Sequence, residues 1–536
     1  MPRYTRRELL EAGLRAAPLA ALPAGLRPAV AQRRRRSISR FNLLFLAVDD
    51  LRPDLGCYGH ALVRTPHIDR LAAAGLTFTR SYCQQAAGNP SRASLLTGRR
   101  PDTTRVFDLE THFRRHLPDV VTLPQHFKTH GYQTTAFGKI VQKPAMDDLP
   151  SWSIAPWIAG QHPWRSSENQ AFAERRWQQL QQDNWVSTDD LSFDPGLRHS
   201  ATQRPQGPAS RSSTNRDMPS WDSPDVADNA LPDGQAAEAA VAALRELRTR
   251  RFFLAVGFLR PRLPFIAPKK YFDLYPPETI PLPKNPEPPF DVPDYALVDS
   301  AELRQYNDIP PHGPIAEAKA RELIRAYYAG TSYVDAQVGR LLDALDQLNL
   351  RENTIVVLWG DHGYHLGDHG LWSEMTNFEA ATRAPLILSV PGQQGAGRMT
   401  AALTESVDLY PALCEICELP VPLGLEGSSF VPLFADPDRL WKRAVFSQSP
   451  REIPGVGSGM GYSMRTARYR YTEWTAADNP FRAAELYDYQ ADPLEQRNVA
   501  NRPENVSLVN GLSGMLREGW RASLPPTDIR PEKTGS

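Results

Sequence analysis

An apolar run of strand length occupies residues 41–48, with the sequence FNLLFLAV, and it leads directly into Asp49 and Asp50. A short, continuous apolar run is typical of a strand that is buried on both faces of a mostly parallel sheet. Open α/β sheets place their ligands at the carboxyl ends of such strands. Burying two carboxylates at this point costs free energy unless a cation neutralises them. Carboxylate oxygens are ligands that suit calcium or magnesium. The alternative is a solvated turn after the strand.

Two later runs have the same character and predict two further buried strands. They are Phe252 to Phe258, FFLAVGF, and Thr354 to Trp359, TIVVLW. The second run delivers Gly360, Asp361, His362 and Gly363, so a carboxylate and an imidazole also follow a buried strand. On its own an Asp-His pair is more often a hydrogen-bonded turn.

Helical segments lie between these strands. Gln235 to Leu247 and Ala316 to Leu348 both predict helices, and the second carries apolar side chains at helical spacing. Gly330 predicts a break within that second helix. We therefore expect an α/β fold in which helices sandwich a large mixed sheet, and in which Asp49, Asp50 and Asp361 converge at one edge.

The stretch from Ser81 to Arg100, SYCQQAAGNPSRASLLTGRR, predicts a helix start that faces an anion. Asn89 suits the N-cap, Pro90 suits the first helical position and Gly98 suits the end of the helix. The N-terminus of a helix presents free N–H groups and a positive dipole end, and Arg92 adds a guanidinium fork. The pattern predicts a binding site for sulfate or phosphate.

The same stretch resembles the signature of the sulfatases, Cys/Ser-x-Pro-Ser-Arg followed by Leu-Thr-Gly-Arg. Pro90 to Arg92 match the first part, and Leu96 to Arg99 match the second. In that family the first residue of the signature is oxidised to formylglycine, whose hydrate is the nucleophile. Here that position is Gly88, which has no side chain to oxidise, so no formylglycine is expected.

Longer segments resemble the iduronate 2-sulfatase branch of the family. They are VDDLRPDLGCYG, RTPHIDRLAAAGLTFTRSYCQQ and GRRPDTTRVFDL. The resemblance implies a sulfatase-like fold with a small C-terminal antiparallel sheet. It also implies a calcium or magnesium site, and sulfate contacts from Arg92 and Lys139. The metal ligands that it implies are Asp49, Asp50, Asp361 and His362.

Three other pocket positions depart from the family pattern. Gln142 stands where a histidine that contacts the sulfate is expected, Arg262 replaces a second histidine, and Glu374 replaces a lysine. We expect Arg262 and Glu374 to face each other as an ion pair, because the family places both positions around one sulfate. Ser91 and Cys83 are weak candidates for a substitute nucleophile.

The resemblance divides the chain into three parts. Residues 1–31 carry a twin-arginine pattern, a modestly apolar run and an Ala-Val-Ala cleavage site, which predict an exported, periplasmic or secreted protein. The alternative is a disordered basic tail. Residues 38–430 form the sulfatase-like domain, and residues 431–525 form the small C-terminal subdomain. Residues 146–229 lack periodicity and predict long loops.

The composition of the chain argues against some classes of binding partner. The 61 basic and 61 acidic residues give a net charge of zero, so no overall field recruits nucleic acid or an anionic membrane. The apolar run near the N-terminus is too short and too interrupted to span a bilayer. Cys414 and Cys417 form a single C-x-x-C, which favours packing or one local disulfide over a zinc site.

Three functions remain open from the sequence. The first is a sulfatase-family pseudoenzyme that keeps a divalent metal and binds a sulfated sugar or another anionic small molecule. The second is a sulfate or phosphate ester hydrolase that uses a metal-bound water. The third is a structural or adhesive exported protein that uses only the fold.

Overall fold

The computed structural model describes residues 41–159, 219–477 and 479–526. The predicted signal peptide and most of the predicted loop region, residues 160–218, lie outside these ranges. Within them, no helix is both long and apolar enough to cross a membrane.

The central element is a seven-stranded mixed sheet in the described part of the chain. Its strands, in spatial order, are β12 (Arg398–Thr400), β2 (Leu76–Phe78), β11 (Leu386–Ser389), β8 (Thr354–Gly360), β1 (Asn42–Val48), β6 (Phe252–Phe258) and β4 (Gln133–Gly138). The four strands from β8 to β4 run parallel to one another, and β11 is antiparallel to both of its neighbours. The predicted large mixed sheet is confirmed.

Helices cover both faces of this sheet. The described helices of the whole chain are α1 (Pro66–Ala73), α2 (Gly88–Thr97), α3 (Pro101–Thr104), α4 (Leu123–Thr129), α5 (Pro232–Leu247), α6 (Lys269–Phe272), α7 (Glu317–Gln347), α8 (Glu379–Thr382), α9 (Leu409–Ile416), α10 (Pro432–Ala435) and α11 (Val506–Ala522). Alternate residues of β1 serve two cores: Leu43 and Phe45 pack with α2, α4 and α9, whereas Leu44 and Leu46 pack with α1, α5 and α7. This two-sided burial explains why the strand is apolar at every position.

The predicted break at Gly330 is wrong. Helix α7 is continuous through this residue. A Cβ at position 330 would lie 3.4 Å from Pro261, which is ordinary van der Waals contact, so the packing around this position does not require a glycine.

The C-terminal part contains a four-stranded antiparallel meander. Its strands are β14 (Ala444–Ile453), β15 (Gly457–Thr466), β16 (Tyr469–Ala476) and β17 (Asn479–Asp488), paired in sequence order. Helix α11 packs on this sheet through Leu512 and its neighbours. The predicted small antiparallel sheet is confirmed.

Short two-stranded ladders complete the described strands. They are β3 (Ser81–Tyr82) with β13 (Thr404–Glu405), β5 (Trp221–Asp222) with β7 (Phe265–Ile266), and β9 (His365–Leu366) with β10 (Trp372–Ser373). The C-x-x-C cysteines, Cys414 and Cys417, are buried at the end of α9, which agrees with a packing role.

Candidate metal centre

Four neighbouring parallel strands bring the predicted site residues to one edge of the sheet. Val48 at the end of β1 lies opposite Gly360 at the end of β8 and Phe258 at the end of β6. The residues that follow these ends are therefore close together. Asp49 and Asp50 come from β1, Asp361 and His362 from β8, and Lys139 from the end of β4. The predicted convergence of the strand-end carboxylates is confirmed.

Asp50, Asp361 and His362 form a candidate ligand set for a cation. One ligand atom from each lies within 4.8 Å of the others, and all three residues are buried. Both carboxylate oxygens of Asp50 and the Nε2 atom of His362 have no hydrogen-bond partner. Buried polar atoms are almost always paired, so this cluster of orphaned atoms fits a divalent cation.

The orientation of His362 supports the same conclusion. Its Nδ1 atom lies 2.9 Å from the carbonyl oxygen of Gly363, so Nδ1 carries the proton and donates it. The lone pair of Nε2 then faces Asp50 Oδ1 at 3.7 Å and Asp361 Oδ1 at 3.8 Å. A nitrogen lone pair beside two carboxylate oxygens is a donor set that suits a metal ion.

Asp49 lies in the candidate metal centre, but its carboxylate is already paired with cationic side chains of the protein. Its Oδ1 accepts from Arg92 at 2.9 Å, and its Oδ2 contacts Lys139 Nζ at 2.5 Å and Arg262 Nη1 at 3.6 Å. Burial alone would raise the pKa of Asp49, but these three cations hold it well below its usual range. Asp49 does not belong to the set of atoms within 4.8 Å, so its place differs from that of Asp50.

Asp50 has the opposite electrostatic environment. Burial, and then the carboxylates of Glu374 and Asp49, raise its pKa well above the usual range, and Arg262 offsets only part of this. Asp50 also adopts a left-handed backbone, with φ of 56°, and its N–H donates to Asp361 Oδ1 at 3.1 Å. Strained non-glycine residues that concentrate unpaired charge are characteristic of ligand sites.

The helix that follows the altered signature begins earlier than predicted. Helix α2 starts at Gly88 and its N-cap is Ala87, so the predicted cap at Asn89 and the predicted first position at Pro90 are wrong. The Asn89 amide instead donates to the carbonyl oxygens of Asp108 and Thr111. The predicted end is confirmed, because Gly98 adopts a left-handed conformation.

Arg92 binds the two strand ends to each other. Its Nη2 lies 2.9 Å from an oxygen of Asp49 and 2.9 Å from an oxygen of Asp361, so these oxygens are within twice that distance of each other. Its Nη1 donates to the carbonyl oxygens of Lys139 and Ile140. In the described structure its guanidinium is fully committed to the protein.

The missing side chain at Gly88 leaves no open space. A Cβ atom at this position would lie 2.3 Å from the Oε1 atom of Gln142. Gln142 is buried, and its Oε1 has no hydrogen-bond partner. The amide end of Gln142 therefore lies where a side chain at position 88 would begin.

The predicted ion pair between Arg262 and Glu374 is not formed. Within the described residues, the carboxylates that Arg262 pairs with are Asp49, at 3.6 Å, and Glu302, at 3.2 Å. Glu374 is buried and accepts a hydrogen bond from Ser373. The sequence offered no signal for Glu302, because it lies in an irregular segment without a motif.

Neither substitute nucleophile is poised for attack. Ser91 donates its hydroxyl to the carbonyl oxygen of Asp361. Burial, followed by the charge of Asp361, raises the pKa of the Cys83 thiol far above its usual value, which keeps it protonated.

Comparisons with known proteins decide the family. The sequence profile described as Sulfatase matches residues 42–418. The chain belongs to the sulfatase family. A second profile, described as N-sulphoglucosamine sulphohydrolase, C-terminal, matches residues 367–521.

Individual sulfatases place the chain more narrowly. Iduronate 2-sulfatase of Mus musculus is 36% identical over 550 aligned residues, covering 88% of this chain and 93% of that protein. The Homo sapiens protein of the same name is 36% identical over 543, covering 87% and 92%. The resemblance to this branch is confirmed.

Solved structures support the fold. The phosphonate monoester hydrolase of Agrobacterium radiobacter superposes with a TM-score of 0.71 at 22% identity, covering 90% of this chain and 96% of that chain. At this identity the likeness shows a shared architecture alone.

Proposed function

We propose that this sulfatase-family protein keeps a divalent cation at Asp50, Asp361 and His362 but does not hydrolyse sulfate esters by the formylglycine route. It binds a sulfated or otherwise anionic sugar at the same edge of the sheet. Calcium is the proposed ion, with magnesium as the second choice, because two of the three ligands are carboxylates. When bound, the ion would supply positive charge for an anionic ligand.

The observation that carries the proposal is the absence of a side chain at Gly88. In the family the residue at this position supplies the nucleophile, and glycine has no side chain that could do so. The end of the Gln142 side chain takes the space beside it, because a Cβ at position 88 would lie 2.3 Å from Gln142 Oε1.

The charge balance supports binding over turnover. Five described carboxylates interact electrostatically with one another or pair with the same cations. They belong to Asp49, Asp50, Glu302, Asp361 and Glu374. They meet three cations, from Arg92, Lys139 and Arg262. Among the described side chains, these five carboxylates and three cations differ by the two charges that a divalent ion would supply. With the ion bound, such a centre would hold an anion but would have no excess of positive charge from the described side chains to stabilise a developing leaving group.

The relatives support the class of ligand. Iduronate 2-sulfatases share most of this chain, and their name specifies a sulfated uronic acid. A structurally similar protein was solved with its substrate D-glucosamine-2-N,6-O-disulfate. A sulfated sugar is therefore the ligand that we propose for this site.

Three kinds of measurement on the purified chain test the proposal. Metal analysis and calcium titration should find about one divalent ion per chain. Assays with an aryl sulfate, a phosphate monoester and a phosphate diester, each with and without calcium, should show no turnover above background. A glycan array should show calcium-dependent binding of sulfated sugars.

Different results in these experiments would favour the hydrolase or the structural function instead. Calcium-dependent turnover of any of these esters would identify a hydrolase that works without a side-chain nucleophile. Metal-free protein without glycan binding would favour a structural role.

A further inference from the structure

A second pocket lies away from the candidate metal centre. It has a volume of about 340 Å³ and lies between the loop before α2, the C-terminal sheet and α11. None of the proposed metal ligands lines it. We call it the junction pocket and define it by Gln84, Arg100, Tyr462, Arg482, Arg517 and Trp520. Its volume falls within the range of roughly 300–1,000 Å³ that is typical of small-molecule sites.

One wall of the junction pocket carries an unsatisfied amide. Gln84 is 1% exposed, and neither its Oε1 nor its Nε2 has a hydrogen-bond partner. The backbone of Gln84 is fixed, because its carbonyl oxygen accepts from the N–H of Gln448 at 2.8 Å. A held amide with a free donor and a free acceptor is suited to a ligand with adjacent hydroxyl groups.

The opposite wall offers aromatic surface. The rings of Tyr462 and Trp520 are half-buried, and the guanidinium of Arg100 lies 5.1 Å from the Trp520 ring. Helix α11 leaves the helical conformation at Gly519, with φ of 74°, one residue before Trp520. Aromatic rings beside a few fixed polar groups are the usual composition of a specific ligand pocket.

The rim of the junction pocket carries exposed arginines beside the carboxylates of Asp102 and Glu473. Arg517 is exposed and forms no ion pair within the described residues; its guanidinium donates to Ser513 Oγ at 2.5 Å. Arg482 is 65% exposed and lies 3.3 Å from Glu473. Exposed guanidinium groups that keep free N–H donors bind carboxylates and sulfates in bidentate fashion.

From these features we propose that the junction pocket is a second binding site, which takes a sugar unit that carries a carboxylate or a sulfate. The sugar ring packs on Tyr462 and Trp520, its hydroxyl groups pair with Gln84, and its anionic group pairs with Arg517. This site does not depend on the candidate metal centre or on a bound cation.

Titration calorimetry on the full exported chain tests this site. The probes are a sulfated heparin-derived disaccharide, its unsulfated uronic acid counterpart, neutral cellobiose and inorganic sulfate. We expect both acidic disaccharides to bind without calcium, cellobiose to bind more weakly, and inorganic sulfate to bind weakly or not at all.

Substitutions locate the binding. Arg517→Gln should weaken both acidic disaccharides about tenfold, because a charge-assisted hydrogen bond is lost, and should leave cellobiose unchanged. Gln84→Ala should weaken all three sugars. Arg482→Gln, at an exposed position, repeats the test if Gln84→Ala does not fold. Arg502→Gln is the matched control, because Arg502 is an exposed arginine that does not line the pocket.

The metal-site variant Asp50→Asn separates this proposal from the proposed function. It should leave calcium-free disaccharide binding unchanged. The proposal is overturned if no sugar binds without calcium, if Arg517→Gln and Gln84→Ala bind like the wild type, or if Asp50→Asn abolishes the calcium-free binding.

Discussion

Two buried clusters of charged side chains in this protein differ in whether their carboxylate oxygens have hydrogen-bond partners. In the first cluster, which we call the Glu405 cluster, Glu405 accepts from Arg100 through two bonds of 2.8 Å. Lys442 lies 2.7 Å from Glu405 and 2.6 Å from Asp408. In the candidate metal centre, both oxygens of Asp50 have no partner. The carboxylate oxygens of the first cluster all find partners within the protein, whereas those of Asp50 require a partner from outside it.

The difference shows how structural charge and functional charge can be told apart. The Glu405 cluster joins α3, the segment before α9 and the strand β14, so it stabilises the contact between the two sheets. The candidate metal centre lies where four strands end, and around Asp50 it concentrates negative charge that Arg262 offsets only in part. Variants should therefore act in opposite directions in the two regions.

The largest effect is expected in the Glu405 cluster. Lys442→Met removes the cation that two buried carboxylates share and should lower the free energy of unfolding by about 3–5 kcal/mol. Urea unfolding followed by circular dichroism measures it. The control Lys269→Met breaks an exposed pair and should change it by less than about 1 kcal/mol. A loss in Lys442→Met no larger than in the control would contradict the assignment.

Acid should weaken the same cluster progressively. Burial opposes ionisation of Glu405, but Arg100 and Lys442 outweigh it and lower its pKa from 4.5 to about 2. Because the folded pKa lies below the unfolded one, the stabilisation is complete above about pH 4.5 and is lost as the pH falls towards 2. Urea midpoints between pH 7 and pH 2.5 should fall over this window. Glu405→Gln should be less stable at pH 7 and show a smaller fall.

A substitution in the candidate metal centre should have the opposite sign. Asp50→Asn removes a buried carboxyl group whose ionisation the fold disfavours, and it should raise the stability of the metal-free chain by about 1–2 kcal/mol at pH 7. Calcium at 100 times its dissociation constant should stabilise the wild type by about 2.7 kcal/mol and the variant by none. Thermal unfolding with and without calcium measures both effects. Metal-free destabilisation by Asp50→Asn would show that the unpaired carboxylate is structural.

The smallest effect is expected from repairing the signature. Gly88→Cys restores the family motif, yet its Cβ would meet the Gln142 amide, and Arg262 and Glu374 would remain. We expect sulfatase activity below about 1% of a typical family member even with the formylglycine-generating machinery, because each lost catalytic contact costs on the order of 10² or more.

Two companion variants refine this test. Gly88→Ala adds only the Cβ and should disturb Gln142 alone. Gly88→Cys combined with Gln142→His should also lack turnover. Substantial activity in the single variant would show that Gly88 was the only lesion.

The sequence predicted the features that depend on local pattern. The apolar runs before Asp49 and Asp361 predicted buried parallel strands, and parallel strands of one sheet necessarily end together. The positions of the replaced pocket residues came from the family resemblance. These predictions needed no knowledge of side-chain packing.

Other features depend on tertiary contacts that no sequence window contains. The start of α2 at Gly88 and the new bonds of Asn89 follow from the loop around Asp108. The helix continues through Gly330, where the flanking residues Ala329 and Thr331 are buried in the fold. The partner of Arg262, Glu302, is 40 residues away in an irregular segment, so the predicted pair with Glu374 was wrong.

Calcium titration of the metal-free, full-length chain, with the Asp50→Asn variant beside it, tests the proposed centre most directly. We predict one high-affinity calcium per wild-type chain and none in the variant, with no sulfate ester turnover in either state. A wild-type chain that binds no divalent ion, or a variant that binds it as well as the wild type, would contradict the assignment of this edge of the sheet as a cation site.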